Sequence, residues 1–292
     1  MVGPTASGKS ALALELARGH ADLELVSVDS MQVYRGMDIG TAKPTPADQA
    51  EVRHHLIDLV DPDEEFTVSQ FQLAASVALD DIARRGHRAV LVGGTGLYFR
   101  AVVDDLRLPG RFPAVRAELE AEPDTVVLHD RLVDLDPVAA GRMEPTNRRR
   151  VVRALEVTLG SGRAFSSYGP GLDVYRPITH PVVGLRLDRD ELDRRIEVRV
   201  HQQLDAGWVD EVRCLAERPG GLSTTAGQAL GYGELLAHLR GEMDLDEATD
   251  EIVARTRRFQ RRQDRWFRRD PRITWVDAGH NALAATLDRL GD

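Results

Sequence analysis

The pattern Gly3-Pro4-Thr5-Ala6-Ser7-Gly8-Lys9-Ser10 matches G-x-x-x-x-G-K-[ST] in full, and nothing else in the chain constrains its fold as tightly. Glycines let consecutive backbone N–H groups of Gly3, Thr5, Ala6, Ser7 and Gly8 converge on phosphate oxygens at the positive end of a helix. Lys9 adds a point charge, and the Ser10 hydroxyl can hold Mg²⁺. Such a loop requires a strand before it and a helix after it, so the chain is expected to build an open parallel sheet. Only Met1 and Val2 precede Gly3, however, where a strand of about 5–6 residues is usual. On sequence the chain reads as truncated or mis-started, one strand short.

The first hundred residues keep to the alternating rhythm of such a sheet. Leu23–Val28 and Ala89–Val92 are compact apolar runs suited to buried parallel strands. Between them Phe71, Ala75, Ala78, Leu79 and Ile82 recur at helical spacing. From about Leu106 to Pro181 eight prolines and short helical patches replace that rhythm. Val182–Leu187 returns to the sheet, Asp188 with Glu191 can cap the next helix, and Ile273–Val276 offers a late strand. The fold class expected is α/β: a P-loop doubly wound parallel sheet with an inserted, mostly helical subdomain and a helical C-terminal part. Residues 1–105 and 182–292 would form the core and 106–181 the insertion.

The net charge of −9, from 47 acids against 38 bases, argues on average against a nucleic-acid partner. The average conceals a segregation. Lys9 and Lys43 are the only lysines, and the arginines are clumped: Arg142–Arg153 carries five with one acid, and Arg255–Arg272 nine with two. These strips hold +4 and +7, leaving the rest of the chain at −20. No apolar run reaches the ~20 residues of a membrane span, no signal peptide opens the sequence, and one cysteine, Cys214, suits a reducing cytoplasm.

Two further places carry chemistry. Asp29 ends the strand Leu23–Val28, on the edge of the sheet where ligands bind. Asp29, Ser30, Met31, Gln32 and Tyr34 put a carboxylate, a hydroxyl and an amide together, suited to reading the edge of a base. Val92 runs into Gly93-Gly94-Thr95-Gly96, which places glycines and a hydroxyl where a nucleotide hydrolase would carry an acidic Mg²⁺ ligand. His54 and His55 read as structural hydrogen-bonding groups, Cys214 as packing, and Trp208 and Trp275 as core; no Cys/His cluster has metal-site spacing. On residues alone a small-molecule kinase and a non-enzymatic RNA-binding module stay open as alternatives.

The sequence also resembles a family. Gly3–Ser10, Asp29–Tyr34, Met37–Pro44, His54–Asp58, Gly93–Tyr98, Arg153–Val157, Gly231-Tyr232 and Arg261-Arg262-Gln263 with Trp266-Phe267-Arg268 are similar, in order and over nearly the whole chain, to tRNA dimethylallyltransferases. The resemblance implies transfer of a five-carbon prenyl group from dimethylallyl diphosphate to the exocyclic amine of the adenosine 3′ of the anticodon. It implies Lys9, Thr95 and Mg²⁺ at the diphosphate, with Arg195 or Arg199 completing the clamp, and Asp29 as the proton acceptor. It implies a tRNA anticodon stem-loop read by Ser30, Met31, Gln32, Tyr34 and Tyr232 and gripped by Arg149, Arg150, Arg153, Arg261, Arg262 and Arg265. A monomer in the cytoplasm, away from membranes, is the accompanying expectation.

Overall fold

The computed structural model describes residues 1–279 and 282–290 and divides into two compact units, Met1–Asp104 with Pro177–Asp292, and Asp105–Arg176. The first unit runs α1 (Lys9–Arg18), β1 (Leu23–Ser27), α2 (Pro46–Glu51), β2 (His54–His55), α3 (Val68–Arg84), β3 (Arg88–Val92) and α4 (Gly96–Val103). The second unit holds α5 (Pro113–Glu120), α6 (Thr125–Leu135), α7 (Pro137–Ala140) and α8 (Arg148–Ser161). The chain then returns through β4 (Val182–Arg186), α9 (Arg189–Asp205), α10 (Trp208–Ala216), α11 (Tyr232–Leu239), α12 (Leu245–Phe267), β5 (Ile273–Asp277) and α13 (Ala282–Leu290). Among the described residues no helix is long and apolar enough to cross a membrane.

Strands β2, β1 and β3 lie side by side in parallel, with Leu25 opposite His54 and Leu23–Ser27 opposite Arg88–Val92. Strands β4 and β5 form a second parallel pair, Val182–Arg186 against Ile273–Asp277. Val2 joins the two groups: it bridges Gly93 on one side and Gly184 on the other, donates to the Val183 carbonyl at 2.8 Å and accepts from Leu185 N–H at 3.0 Å. The position expected of a central strand is thus filled at the loop end by Val2 itself, 2% exposed. This arrangement leaves a mark on β3, expected to be wholly buried. Only Val92 is; Ala89–Leu91 stay half-buried, because along most of its length β3 has a strand partner on one side alone.

Local chemistry explains the helix boundaries. Thr67 accepts from Gln70 N–H while the Gln70 side chain takes Thr67 N–H, and Asp244 with Glu247 does the same for α12. The box expected at α9 is one-sided: Asp188 accepts from Asp190 and Glu191 N–H, but Glu191 turns its carboxylate to Arg194 and Arg195 instead. Phe71, Ala75 and Ile82 of α3 and Leu192, Ile196 and Val200 of α9 are buried, one stripe per helix. Trp208 is core, and Trp275 packs half-buried against it. Cys214, expected to pack, is exposed: α10 turns Val212 and Leu215 inward and Cys214 away from them.

The second unit has a core of its own, built from Leu119, Leu128, Leu132, Val151, Val152, Ala154 and Leu155. Two carboxylates are buried in this unit, Asp136 and Glu156. Glu156 accepts from Phe112 N–H at 2.8 Å and pairs with Arg153 at 2.9 Å, so the carboxylate is not left without donors.

Candidate active site

In parallel strands the carboxyl ends share one edge, and the glycine loop, Asp29 and Gly93–Thr95 all leave the sheet there. The glycine loop enters α1 through Gly8, which takes a left-handed φ of 91°. Lys9 curls back so that Nζ donates to the Pro4 carbonyl at 3.1 Å. Arg199 Nη1 donates to Thr5 Oγ1 at 3.3 Å. Arg195 lies over the loop as well, its Nη1 3.8 Å from where a Cβ on Gly8 would stand, steadied by Glu191 at 2.7 Å. Burial lowers the Lys9 pKa to about 8, with the Arg199 charge acting in the same direction and Asp29 against it. Arg199 is lowered too, by burial and then by Arg195. Lys9 and Arg199, both lowered, stand with Arg195 around one loop and form a site a polyanion would relieve. Both Arg195 and Arg199 reach it, not one or the other.

Asp29 stands across from Lys9. Met31 N–H donates to its Oδ1 at 2.9 Å. Burial nevertheless raises its pKa, and that N–H, the Lys9 charge and a backbone bond from Gln32 only partly offset the rise. A carboxylate held above its ordinary value takes a proton more readily than a solvated one. Thr95 joins this side of the site: its Oγ1 accepts from Ser30 N–H at 3.1 Å and lies 3.4 Å from Ser30 Oγ. Thr95 precedes the first turn of α4 yet makes no side-chain cap bond, since its hydroxyl is turned to Ser30 instead.

Helix α12 closes over both loops. Gln263, 8% exposed, accepts from Thr5 N–H at 2.8 Å through Oε1 and donates through Nε2 to the Gly94 carbonyl at 2.8 Å. A Cβ on Gly94 would stand 2.4 Å from Gln263 Nε2, and one on Gly96 would stand 2.1 Å from Trp266 Nε1. The second glycine turn is therefore needed for close approach of a helix. Sequence reasoning assigned Gln263 no role, although an amide at the inward phase of an arginine-rich helix was a usable signal. It missed Glu211 in the same way. That carboxylate accepts from Asp38, Ile39 and Gly40 N–H at 2.9, 2.7 and 3.2 Å and from Tyr232 OH at 2.7 Å, fixing the loop beside Lys43.

Several residues expected to face RNA do not. Tyr34 and Tyr232 are 0% exposed and belong to the main core. Gln32, expected to read a base, uses its amide internally, accepting from Ser27 Oγ at 2.8 Å and donating to the Thr41 and Ala42 carbonyls at 3.2 Å. Met31 packs half-buried against the core, which leaves Ser30 beside Asp29 as the accessible polar neighbour. Arg153 is tied to Glu156 and the Pro109 carbonyl, whereas Arg149 and Arg150 are exposed without a carboxylate partner among the described residues. On α12 Arg255, Arg257 and Arg258, and just past its end Arg268, pair with Glu234, Glu197, Glu251 and Asp264. Arg261, Arg262 and Arg265 have no such partner among the described residues. They line a groove of about 970 Å³ with Arg186, Arg189, Arg258 and Arg268. His54 and His55 bond to the Val52 carbonyl and Glu24, a structural role.

A mixed α/β protein with cations and a buried carboxylate at the strand ends, and an arginine groove on the helix above, defines a class of enzyme that works on anionic substrates. Comparison gives the particular family. The family model described as IPP transferase matches residues 32–270. The chain is 45% identical over 291 residues to a tRNA dimethylallyltransferase of Bifidobacterium animalis subsp. lactis, covering 97% of this chain and 83% of that one. It is 49% identical over 296 residues to the tRNA dimethylallyltransferase of Acidothermus cellulolyticus, covering 99% and 91%. Its fold is similar to the full-length tRNA isopentenylpyrophosphate transferase of Bacillus halodurans, with a TM-score of 0.71, 38% identity and 99% and 95% coverage. A eukaryotic dimethylallyltransferase acting on tRNA gives 0.78, 26% identity and 99% and 75% coverage. The chain belongs to the tRNA IPP transferase family, the tRNA dimethylallyltransferases.

Proposed function

We propose that this chain transfers the dimethylallyl group of dimethylallyl diphosphate to the exocyclic amine of the adenosine 3′ of a tRNA anticodon, releasing diphosphate. The observation that carries the reading is the opposition of Lys9, Arg195 and Arg199 on one side to Asp29 on the other, across the carboxyl ends of the strands. An allylic carbon tolerates positive charge, so the demand on the protein is to stabilise the departing diphosphate and place the amine in line. The glycine loop acts as a P-loop: Gly3, Ala6, Ser7 and Gly8 wrap the diphosphate, Thr5 N–H is held by Gln263, and Lys9, Arg195 and Arg199 supply charge where negative charge develops. Thr95 and Ser30 present hydroxyls on the Asp29 side.

The adenine amine becomes acidic only as its nitrogen bonds to carbon. Asp29 takes that proton as the C–N bond forms and the C–O bond to diphosphate breaks. Its raised pKa improves it as an acceptor at that moment. Mg²⁺ fits the donor set in one way. No group of three or more His, Cys, Asp or Glu among the described residues could hold a metal by itself, whereas the exposed Ser10 hydroxyl at the start of α1 can share one with diphosphate oxygens. When bound there, Mg²⁺ neutralises leaving-group charge. The target adenosine must leave its stack, which costs least in a loop, and Arg149, Arg150, Arg261, Arg262 and Arg265 are the arginines left available for tRNA phosphates.

The test is incorporation of label from dimethylallyl diphosphate into bulk tRNA with Mg²⁺ and without ATP. Label in tRNA is the expected result; transfer that depends on ATP overturns the reading.

A further inference from the structure

Helix α12 meets the rest of the site in two ways. At 100° per residue, Arg261 and Arg265 each lie two residues from Gln263 and so project from the far side of the helix. They face the arginine groove, while Gln263 and Trp266 press on the glycine loop and the second glycine turn. The Gln263 side chain bonds both loops at once. Its partners are Thr5 N–H and the Gly94 carbonyl, backbone groups at positions far apart in the chain. Thr5 sits in the loop with Lys9 and carries the hydroxyl that Arg199 grips. Gly94 is followed directly by Thr95, whose hydroxyl contacts Ser30 beside Asp29.

The chemistry of those partners selects the residue. Thr5 N–H can only donate and the Gly94 carbonyl can only accept, so the bridge needs one acceptor and one donor on one planar group. Glutamine has both. Glutamate lacks the donor, and lysine or arginine lacks the acceptor. The bridge also decides which loop amides remain for an anion, because Thr5 N–H is directed to Gln263.

We infer that Gln263 is a positioning residue for diphosphate: it fixes the glycine loop against the Gly94–Thr95 turn, so that the cations and the proton acceptor stand at working separation. The inference rests on the function proposed above. It places the determinant of diphosphate affinity on the helix whose other face carries the groove arginines.

The experiment uses the full chain and four variants: Gln263→Ala, Gln263→Glu, Gly94→Ala and the double variant Gln263→Ala/Gly94→Ala. The readouts are KM for dimethylallyl diphosphate, Kd for inorganic diphosphate, Kd for tRNA and the thermal midpoint. Loss of positioning is expected to weaken both diphosphate readouts by about tenfold or more in Gln263→Ala, with tRNA Kd within about threefold of wild type. Gln263→Glu keeps the Thr5 acceptor and should fall between the two. The Cβ in Gly94→Ala must displace the Gln263 amide, so this variant should reproduce the defect alone and add little once Gln263 is alanine.

Unchanged diphosphate affinity in Gln263→Ala overturns the proposal, as does a Gly94→Ala penalty of equal size in both backgrounds. Should Gly94→Ala not fold, Gln263→Glu decides: affinity equal to wild type for both diphosphate ligands refutes the role. Equal weakening of tRNA and diphosphate binding also refutes it, since that marks a general structural loss. If wild type moves no label into tRNA, the proposed reaction fails, and the inorganic diphosphate titrations still decide whether Gln263 positions the loop.

Discussion

Strand β1 carries a carboxylate near each end, and the two are treated in opposite ways. Glu24 is 3% exposed, and burial alone would raise its pKa. Arg85 grips both of its oxygens, at 3.0 and 2.7 Å, and His55 and His87 bond to it at 2.5 and 2.7 Å, which together hold it down at about 2. Asp29, just past the other end, has a backbone N–H and a lysine charge, too little to outweigh burial, so its pKa is raised. A saturated buried charge serves the fold. An undersaturated one at the carboxyl edge of a parallel sheet is available for chemistry.

The contrast breaks most visibly at Asp29. Asp29→Asn keeps the shape and the bond from Met31 but removes the proton acceptor. Turnover in the labelled-prenyl assay should drop by roughly 10²–10⁴-fold while tRNA affinity, measured by filter binding, stays within a few-fold. Near-normal turnover would mean that the raised carboxylate is not the acceptor.

Glu24→Gln should invert that pattern. Removing one partner of a buried, multiply paired charge costs about 3 kcal/mol, to be read from denaturant unfolding, with kcat per folded molecule little changed. The pH dependence has a definite sign. A pKa lowered from 4.5 to about 2 contributes stability that is complete above about 4.5 and lost as pH falls toward about 2. The gap between wild type and Glu24→Gln should close over that window. A gap that persists unchanged at low pH would show that packing, not charge, stabilises this end of the strand.

How much of this was legible in the sequence follows from where each interaction is encoded. The glycine loop and Asp29 were legible because local spacing dictates them: a glycine pattern opening a helix, and an acid at the end of an apolar run. Arg195 and Arg199 were visible only as alternatives, since helical phase does not say which arginine reaches a loop almost two hundred residues away. Tyr34 and Gln32 misled because they neighbour Asp29 in sequence. The chain turns sharply after β1, and Gln32 is consumed in bonding that turn to Thr41 and Ala42. Gln263 and Glu211 were missed for the opposite reason: most of their partners are backbone groups, which leave no trace in residue identity, so only the inward phase of Gln263 on its helix pointed to a role.

Arginine strips show the same ambiguity and yield a smaller test. Sequence counted nine arginines from Arg255 to Arg272 as one patch, yet Arg257 is engaged by Glu197 while Arg261, Arg262 and Arg265 have no acid partner among the described residues. Charge removal at those three positions should lower tRNA affinity by about tenfold at moderate salt and flatten the log–log salt slope by roughly 0.7–0.9 for each phosphate no longer neutralised. Arg257→Gln should alter the thermal midpoint more than the slope. If both sets flatten the slope equally, saturation by acids does not sort structural arginines from binding ones.

Lys9 sharpens the comparison on the cationic side, with the smallest effect. Lys43, the other lysine, is 8% exposed but bonds to Asp38, Asp58 and the Tyr34 carbonyl at 2.5, 2.6 and 2.8 Å. Lys9 faces burial and Arg199 with Asp29 as the one opposing charge, and its pKa falls to about 8. The free enzyme should therefore lose the Lys9 charge as pH rises through about 8, and kcat/KM for the diphosphate substrate should fall roughly threefold between about pH 7.5 and about 8.5. Lys9→Arg, which stays charged, should flatten this limb even if its overall rate is lower. A limb that persists in Lys9→Arg would assign the titration to another group and leave the undersaturated side of the site with Asp29 alone.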